Sequence, residues 1–324
     1  MNTKYIDLIN QTFDFPQEEF SVDSNKNLHF HEIDTMKLVE EYGTPLKFTY
    51  LPKISDNIQK AKGMFERAMR KHKYKGKYNY CYCTKSSHFK HVLDEALKND
   101  IHIETSSAID IDIVESLKKD GKITDKTYVL CNGFKRDEYI TKIQKLINSG
   151  HKNCIPIIDN YEEIGLLTEG LRKKINIGIR IASEEEPKFE FYTSRLGIGY
   201  KNIVDFYRRE VKENNKVSLK MLHFFINTGI KDNAYYWNEL NKCLKVYISL
   251  KRICPTLDSL NIGGGFPIKN SLAFDYDYEY MIDEIISQIQ SACEEAEVQT
   301  PHIFTEFGSY TVGESGGAIY KVLY

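Results

Sequence analysis

The sequence predicts an α/β fold, a closed (β/α)8 barrel of the TIM type. Eight short apolar runs, rich in β-branched and aromatic residues, recur along the chain: Tyr78–Cys83, Ile101–Glu104, Thr127–Cys131, Cys154–Asp159, Ile175–Ile181, Leu219–Ile226, Leu257–Ile262 and His302–Glu306. Most run straight into polar or glycine residues, as buried parallel strands do. Amphipathic stretches lie between them, and eight alternating units are the number that closes a barrel. A doubly wound open sheet is the alternative, but it usually has fewer strands and an early G-x-G-x-x-G, which is absent.

The elements follow in chain order. Residues 1–45 read as irregular, with a polar turn at Ser24-Asn25-Lys26-Asn27. Leu46–Leu51, between Pro45 and Pro52, reads as a strand outside the barrel. Ile58, Ala61, Phe65 and Ala68 repeat at helical spacing before the first run, as do Met281, Ile285, Ile289 and Ala292 before the last. The closing stretch, Ala318 to Tyr324, alternates as a strand and stops abruptly, so a downstream domain is expected.

Composition narrows the function. The 324 residues carry 44 Lys+Arg and 46 Asp+Glu, a net charge of −2. That balance, with a pI near 6.5, removes the electrostatic case for nucleic acid. No run of about 18 apolar residues exists to cross a membrane. The opening MNTKYIDLINQTFDFPQ lacks the apolar core of a secretory signal. Seven cysteines, an odd number in a long chain, fit a reducing cytoplasm better than a disulfide framework. Cys81 and Cys83 form C-x-C and read as buried strand cysteines; no metal is expected.

In a parallel barrel the chemistry sits at the C-terminal ends of the strands. The first run leads to Lys85. A lysine there can form a Schiff base, because burial lowers its pKa and frees the amine; the alternative is a solvated lysine. The second run ends at Glu104 and the fifth carries Arg180, two opposite charges that can simply pair. In the sixth, alternation puts His223 and Phe225 on one face, and Phe225 can lie against a planar cofactor or serve as a core aromatic. The seventh ends in Gly263-Gly264-Gly265, either a structural turn or a cradle aiming several N–H groups at one anion. The eighth ends at Glu306, which can hold the proton of a pyridine nitrogen or bond a nearby loop. Lysine, glycine cradle and late acid together fit pyridoxal 5′-phosphate (PLP).

The order of these motifs resembles the fold-type-III PLP decarboxylases, which act on ornithine, diaminopimelate and arginine; it is most similar to the biosynthetic arginine decarboxylases. The likeness is carried by Tyr82-Cys83-Thr84-Lys85, Cys131-Asn132-Gly133-Phe134-Lys135, Ser194-Arg195-Leu196-Gly197, Leu222-His223-Phe224, Gly263-Gly264-Gly265 and Glu306-Phe307-Gly308. It runs from about Tyr42 to Val312. It implies an alanine-racemase-like PLP barrel over residues 52–310. Residues 1–51 then contribute to a second, β domain, and 311–324 begin a truncated C-terminal part of it. Lys85 matches the Schiff-base lysine, Glu306 the pyridinium partner, and Gly263, Gly264 and Gly265 the phosphate loop. Glu104, Arg180 and His223 match positions near the cofactor. The chain departs from the family at three places: Phe225 stands where a stacked histidine is usual, Thr228 where a serine helps hold the phosphate, and Ser309 where an arginine grips it.

The resemblance implies decarboxylation of a basic amino acid, arginine to agmatine and CO2, a step of polyamine and spermidine biosynthesis. The expected partner is a small amino-acid substrate, with a second copy of the chain in a cytoplasmic homodimer. Three alternatives remain: a non-catalytic PLP-barrel paralogue that regulates or pairs with an active one, another PLP chemistry, and a cofactor-free Schiff-base aldolase.

Overall fold

The computed structural model describes residues 19–182, 196–226, 230, 233–268 and 275–323. Eight parallel strands close on themselves: β1 (Tyr78–Cys83), β2 (His102–Thr105), β3 (Val129–Cys131), β4 (Cys154–Ile158), β5 (Ile175–Ala182), β6 (Val217–His223), β7 (Ser259–Asn261) and β8 (His302–Phe307). They pair in chain order, and β8 returns to β1 with Glu306 opposite Cys81. All eight predicted runs are barrel strands, and the open-sheet alternative falls away.

Strand alternation divides the core in two. On β5, Ile175, Ile177, Ile179 and Ile181 point outward into the shell beneath the helices. The intervening positions point inward, where Cys81, Leu130, Ile155, Ile157, Met221 and Phe304 fill the barrel. The same parity turns Cys83, Glu104, Arg180, His223, Asn261 and Glu306 inward at the C-terminal rim. Cys81 and Cys83 are thus buried strand residues, as read from sequence.

Seven helices follow the first seven strands and an eighth precedes them. This first helix, α1 (Leu51–Lys71), starts with Pro52 in its first turn and ends with Arg70 and Lys71 facing its own dipole. Its buried stripe, Ile54, Ile58, Ala61, Phe65 and Ala68, matches the predicted periodicity. Phe65 stacks on Tyr78 of β1, with centroids 4.1 Å apart and planes 7° apart. The ring continues with α2 (Lys90–Leu97), α3 (Ala108–Lys119), α4 (Asp137–Asn148), α5 (Glu163–Glu169), α6 (Tyr200–Phe206), α7 (Asn233–Lys251) and α8 (Tyr278–Glu295). Because only a short helix, Ser309–Val312, follows β8, α1 packs between α2 and α8 and completes the ring.

Two expectations need correction. Residues 19–45 are not irregular: strands Phe20–Val22 and Leu28–Phe30 form a hairpin, followed by Ile33–Asp34 and a helix, Thr35–Tyr42. The predicted polar turn is the hairpin's tip, where Asp23 Oδ1 accepts from the backbone N–H groups of Asn25 and Asn27. Residues 1–18 lie outside the described residues. The terminal strand is Gly316–Ile319, two residues earlier than read, and it pairs antiparallel with Leu46–Thr49. Tyr320 onward is not part of that pairing.

Removing the closing wedge of α1 tests this architecture. Phe65→Ala should lower unfolding stability by roughly 3–5 kcal/mol in urea titration; an unchanged midpoint would contradict the ring closure through α1.

Candidate active site

Lys85 sits in a single 3-10 turn, Thr84–Ser86, directly after β1. This turn lies against the end of β8. A Cβ at Gly308 would meet Ser86 Oγ at 2.0 Å, and Cys83 Sγ donates to the Glu306 carbonyl. The Lys85 side chain is 55% exposed, so its amine is open to the mouth, and its Nζ lies 3.8 Å from Glu104 Oε2. The expectation of a lowered lysine pKa is not met. Desolvation pulls it down, but Glu104, Cys83 and Glu306 outweigh that and hold the ammonium above its ordinary range.

Two buried acids form the floor. Glu104 and Glu306 face each other across the rim, and Asn132 Nδ2 donates to both, at 3.0 Å and 2.7 Å. Asn261 Nδ2 also donates to Glu306. His223 Nε2 lies 3.4 Å from the other Glu306 oxygen. The two acids are pushed apart electrostatically. Burial and the Glu306 charge raise the Glu104 pKa. Burial also penalises Glu306, but His223, Lys85 and the Asn132 donor overcome it and pull the carboxyl down to about 2. Glu306 therefore stays ionised, while Glu104 is the acid readier to take a proton. Glu104 Oε2 is buried with no hydrogen bond among the described residues.

The second group lies across the mouth. Arg180 and Glu104 do not pair, since β3 and β4 separate them. Arg180 instead lies with Nε 4.0 Å from Asp159 Oδ1 and Cζ 5.5 Å from the Phe225 ring centroid. Phe225 is half-buried just past β6, while its neighbour Phe224 goes into the shell core against Tyr236. A Cβ at Gly263 would strike Phe225 at 2.8 Å, and one at Gly264 would strike the Glu306 carbonyl at 2.3 Å. Gly263, with φ +70°, donates its N–H to Asn261 Oδ1, so this glycine is partly a structural turn. Among the described residues, Gly264 and Gly265 N–H have no acceptor and remain available to an anion. Ser309 is exposed at the start of the short helix after β8. Thr228, Ser194 and Arg195 lie outside the described residues.

The structure adds side chains that were not singled out. Asn132 and Asp159 directly follow strands β3 and β4; Asp159 is the last residue of the predicted run Cys154–Asp159 and Asn132 the first past Thr127–Cys131, so reading the ends of those two runs, as for the other six, gives them a role. Asn261 is the last residue of β7 and inward by parity. Behind Asp159, buried Lys135 donates to Gly133 O, Ile157 O and Glu163 Oε2, anchoring the β3 and β4 loops together. Elsewhere, Asp23, His29 and Asp34 bring three candidate metal-ligand atoms within 4.8 Å, but Asp23 organises the hairpin turn and Asp34 caps a helix. No helix among the described residues is long and apolar enough to cross a membrane.

Residues 58–313 match the pyridoxal binding domain of the pyridoxal-dependent decarboxylases. The chain is 24% identical over 323 residues to biosynthetic arginine decarboxylase 2 of Synechocystis, covering 90% of this chain and 49% of that protein. The crystal structure of the Campylobacter jejuni biosynthetic arginine decarboxylase superposes with a TM-score of 0.74 at 19% identity, over 93% of this chain and 52% of that one. That of the M. jannaschii diaminopimelate decarboxylase gives 0.79 at 17% identity, over 94% and 69%. The chain spans about half the length of the curated relatives it matches. By the extent of the domain match, it belongs to the pyridoxal-dependent decarboxylase family.

The electrostatic description of Lys85 is testable. Alkylation of Lys85, followed by mass spectrometry against pH, reports its free amine. Glu104→Gln should move that profile to lower pH by roughly one pH unit, because the nearest negative charge is gone. An unmoved profile would mean that Glu104 does not hold the proton on Lys85.

Proposed function

We propose that this barrel is the cofactor-binding part of a decarboxylase of basic amino acids, converting arginine to agmatine and CO2. The observation that carries the reading is the convergence of an open lysine amine, an ionised buried acid and a free glycine N–H pair at one barrel mouth.

These residues fit PLP. Lys85 would hold its carbonyl carbon, Glu306 its protonated ring nitrogen, and Gly264 and Gly265 its phosphate. Phe225 would offer a flat apolar face, and Arg180 and His223 would frame the ring. When bound, PLP acts as an electron sink for bonds at a substrate's α carbon. The protein's part is to set protons. Lys85 is an ammonium at neutral pH and is nucleophilic only after losing a proton. Glu104, with its raised pKa and unsatisfied Oε2 at 3.8 Å, is the acceptor nearest to it. Glu306 stays ionised, so it would stabilise a proton on a facing nitrogen rather than take it away. Asn132 donates to both acids, and it is His223 and Asn261 beside Glu306 alone that make their roles unequal.

Arginine is favoured as substrate by the likeness to biosynthetic arginine decarboxylases. On this reading the protein acts in polyamine, including spermidine, biosynthesis, as a cytoplasmic homodimer. The seven buried free thiols suit a reducing compartment. Residues 1–51 and 311–324 would belong to a second, β domain, a division that the pairing of Leu46–Thr49 with Gly316–Ile319 supports. Phe225 and Ser309 favour one second reading, a paralogue that keeps the cofactor without turnover, since Phe225 can stack but cannot donate a hydrogen bond and Ser309 cannot give the charge-assisted contact expected there.

The purified protein, supplied with PLP, should release labelled CO2 from carboxyl-labelled arginine faster than from lysine, ornithine or diaminopimelate. Lys85→Ala should fall to background. Preference for another amino acid would move the substrate, and no release from any would favour the non-catalytic paralogue.

A further inference from the structure

At the end of the barrel opposite the lysine and its acids, a cavity of about 520 Å³ opens where β4, β5 and β6 begin. Its lining includes three lysines, Lys152, Lys173 and Lys174, and no carboxylate. Lys152 lies in the turn leading into β4, and Lys173 and Lys174 lie in the loop leading into β5. All three are exposed, and none makes an ion pair or a side-chain hydrogen bond among the described residues. Their backbone N–H groups have no acceptor there either. Asn176 and Ser218, opposite each other on β5 and β6, add two half-buried polar side chains to the lining.

The neighbouring groups are already committed. Asp125 lies 2.7 Å from Lys118 and 3.6 Å from His151 Nδ1. Lys118 is the largest influence lowering its pKa, and Lys152 is the least of those acting on it. His151, in the cavity wall, adds no charge. Its Nε2–H donates to Thr127 O, and burial holds its pKa below the ordinary imidazole range, with Lys118 and Lys173 pushing the same way. The Leu146 and Ile147 carbonyls at the end of α4 accept from the N–H groups of His151 and Gly150.

Like charges around one cavity repel one another, and its walls concentrate their field. Ammonium and amide N–H groups are donors only, so the complementary ligand is an anion rich in acceptors. A single phosphate group carries roughly −1.5 to −2 at neutral pH; two linked phosphates, with roughly −3, match three lysines better. The volume exceeds what the phosphates need, and Ile147, Cys154 and Ile175 give the rest of the lining an apolar part.

We propose that Lys152, Lys173 and Lys174 form a second anion site, at the base of the barrel, for a small molecule carrying two linked phosphates. The site is separate from the glycine N–H pair at the mouth and does not depend on the proposed function.

Isothermal titration with inorganic pyrophosphate tests it, on protein loaded with one equivalent of PLP, in about 0.15 M NaCl so that diffuse surface attraction is screened. One equivalent of pyrophosphate should bind. Lys173→Ala with Lys174→Ala should weaken it at least about tenfold, and Lys152→Ala by roughly three- to tenfold. Lys60→Ala with Lys201→Ala removes two exposed lysines elsewhere and should leave it unchanged. These variants lose exposed side chains only, so the melting temperature should hold. ADP in place of pyrophosphate distinguishes the source of the phosphates: tighter binding identifies a nucleotide that uses the apolar lining, and equal or weaker binding identifies the inorganic anion. Either upholds the site. No binding of either, equal weakening in the Lys60 and Lys201 control, or binding that survives the loss of Lys173 and Lys174 overturns it. Pyrophosphate that competes with PLP and ignores the lysine variants would place the anion at the mouth and overturn it as well. The readout is binding, so a protein inactive toward arginine still decides the question.

Discussion

Two carboxylates buried within reach of one amide nitrogen are the constraint around which this barrel mouth is organised. Glu104 and Glu306 share Asn132 Nδ2 as a donor, and their mutual repulsion raises the cost of ionising both. The structure resolves the conflict by giving them unequal surroundings. Glu306 receives Asn261, Asn132 and the His223 ring, and Glu104 receives Asn132 and the Lys85 ammonium. Inward parity on β2, β6, β7 and β8 is what brings Glu104, His223, Asn261 and Glu306 to one level, with Lys85 and Asn132 set just past β1 and β3. A shift of one residue in any of those strands would turn its member of the set into the helix shell.

The same arrangement explains why Lys85 is not the depressed lysine that its position suggested. Burial alone would lower its pKa, but its side chain is half-exposed and faces a buried carboxylate. The protein stabilises the ammonium and keeps a proton acceptor beside it. Reactivity is then set by a balance: desolvation is the largest single effect, and the charges of Glu104, Cys83 and Glu306 together outweigh it.

Much of this was legible in the sequence because parallel strands buried on both faces leave long apolar runs, and because barrel chemistry clusters where those runs end. Lys85, Glu104, His223 and Glu306 were found that way and lie together; Arg180, Phe225 and Gly263 form a second group beside them. Asn132 and Asp159 were missed for want of reading two run ends, not for want of signal. The hairpin at Phe20–Phe30 was missed for a physical reason: three-residue strands are too short to show a period. The terminal strand shifted toward Gly316 because its backbone packs against Phe48, where a Cβ would lie 2.1 Å from the Phe48 carbonyl oxygen. Close backbone approach of that kind makes glycine a strand residue rather than a break.

The central claim is that Lys85, among all the lysines of this chain, is the residue the cofactor engages. Reducing the protein–PLP mixture with borohydride and mapping the tryptic peptides tests it directly. The account predicts a pyridoxyl mass increment on the peptide containing Lys85 and on no other at stoichiometric cofactor. A label on buried Lys135, or one scattered over surface lysines with Lys85 unmodified, would contradict it.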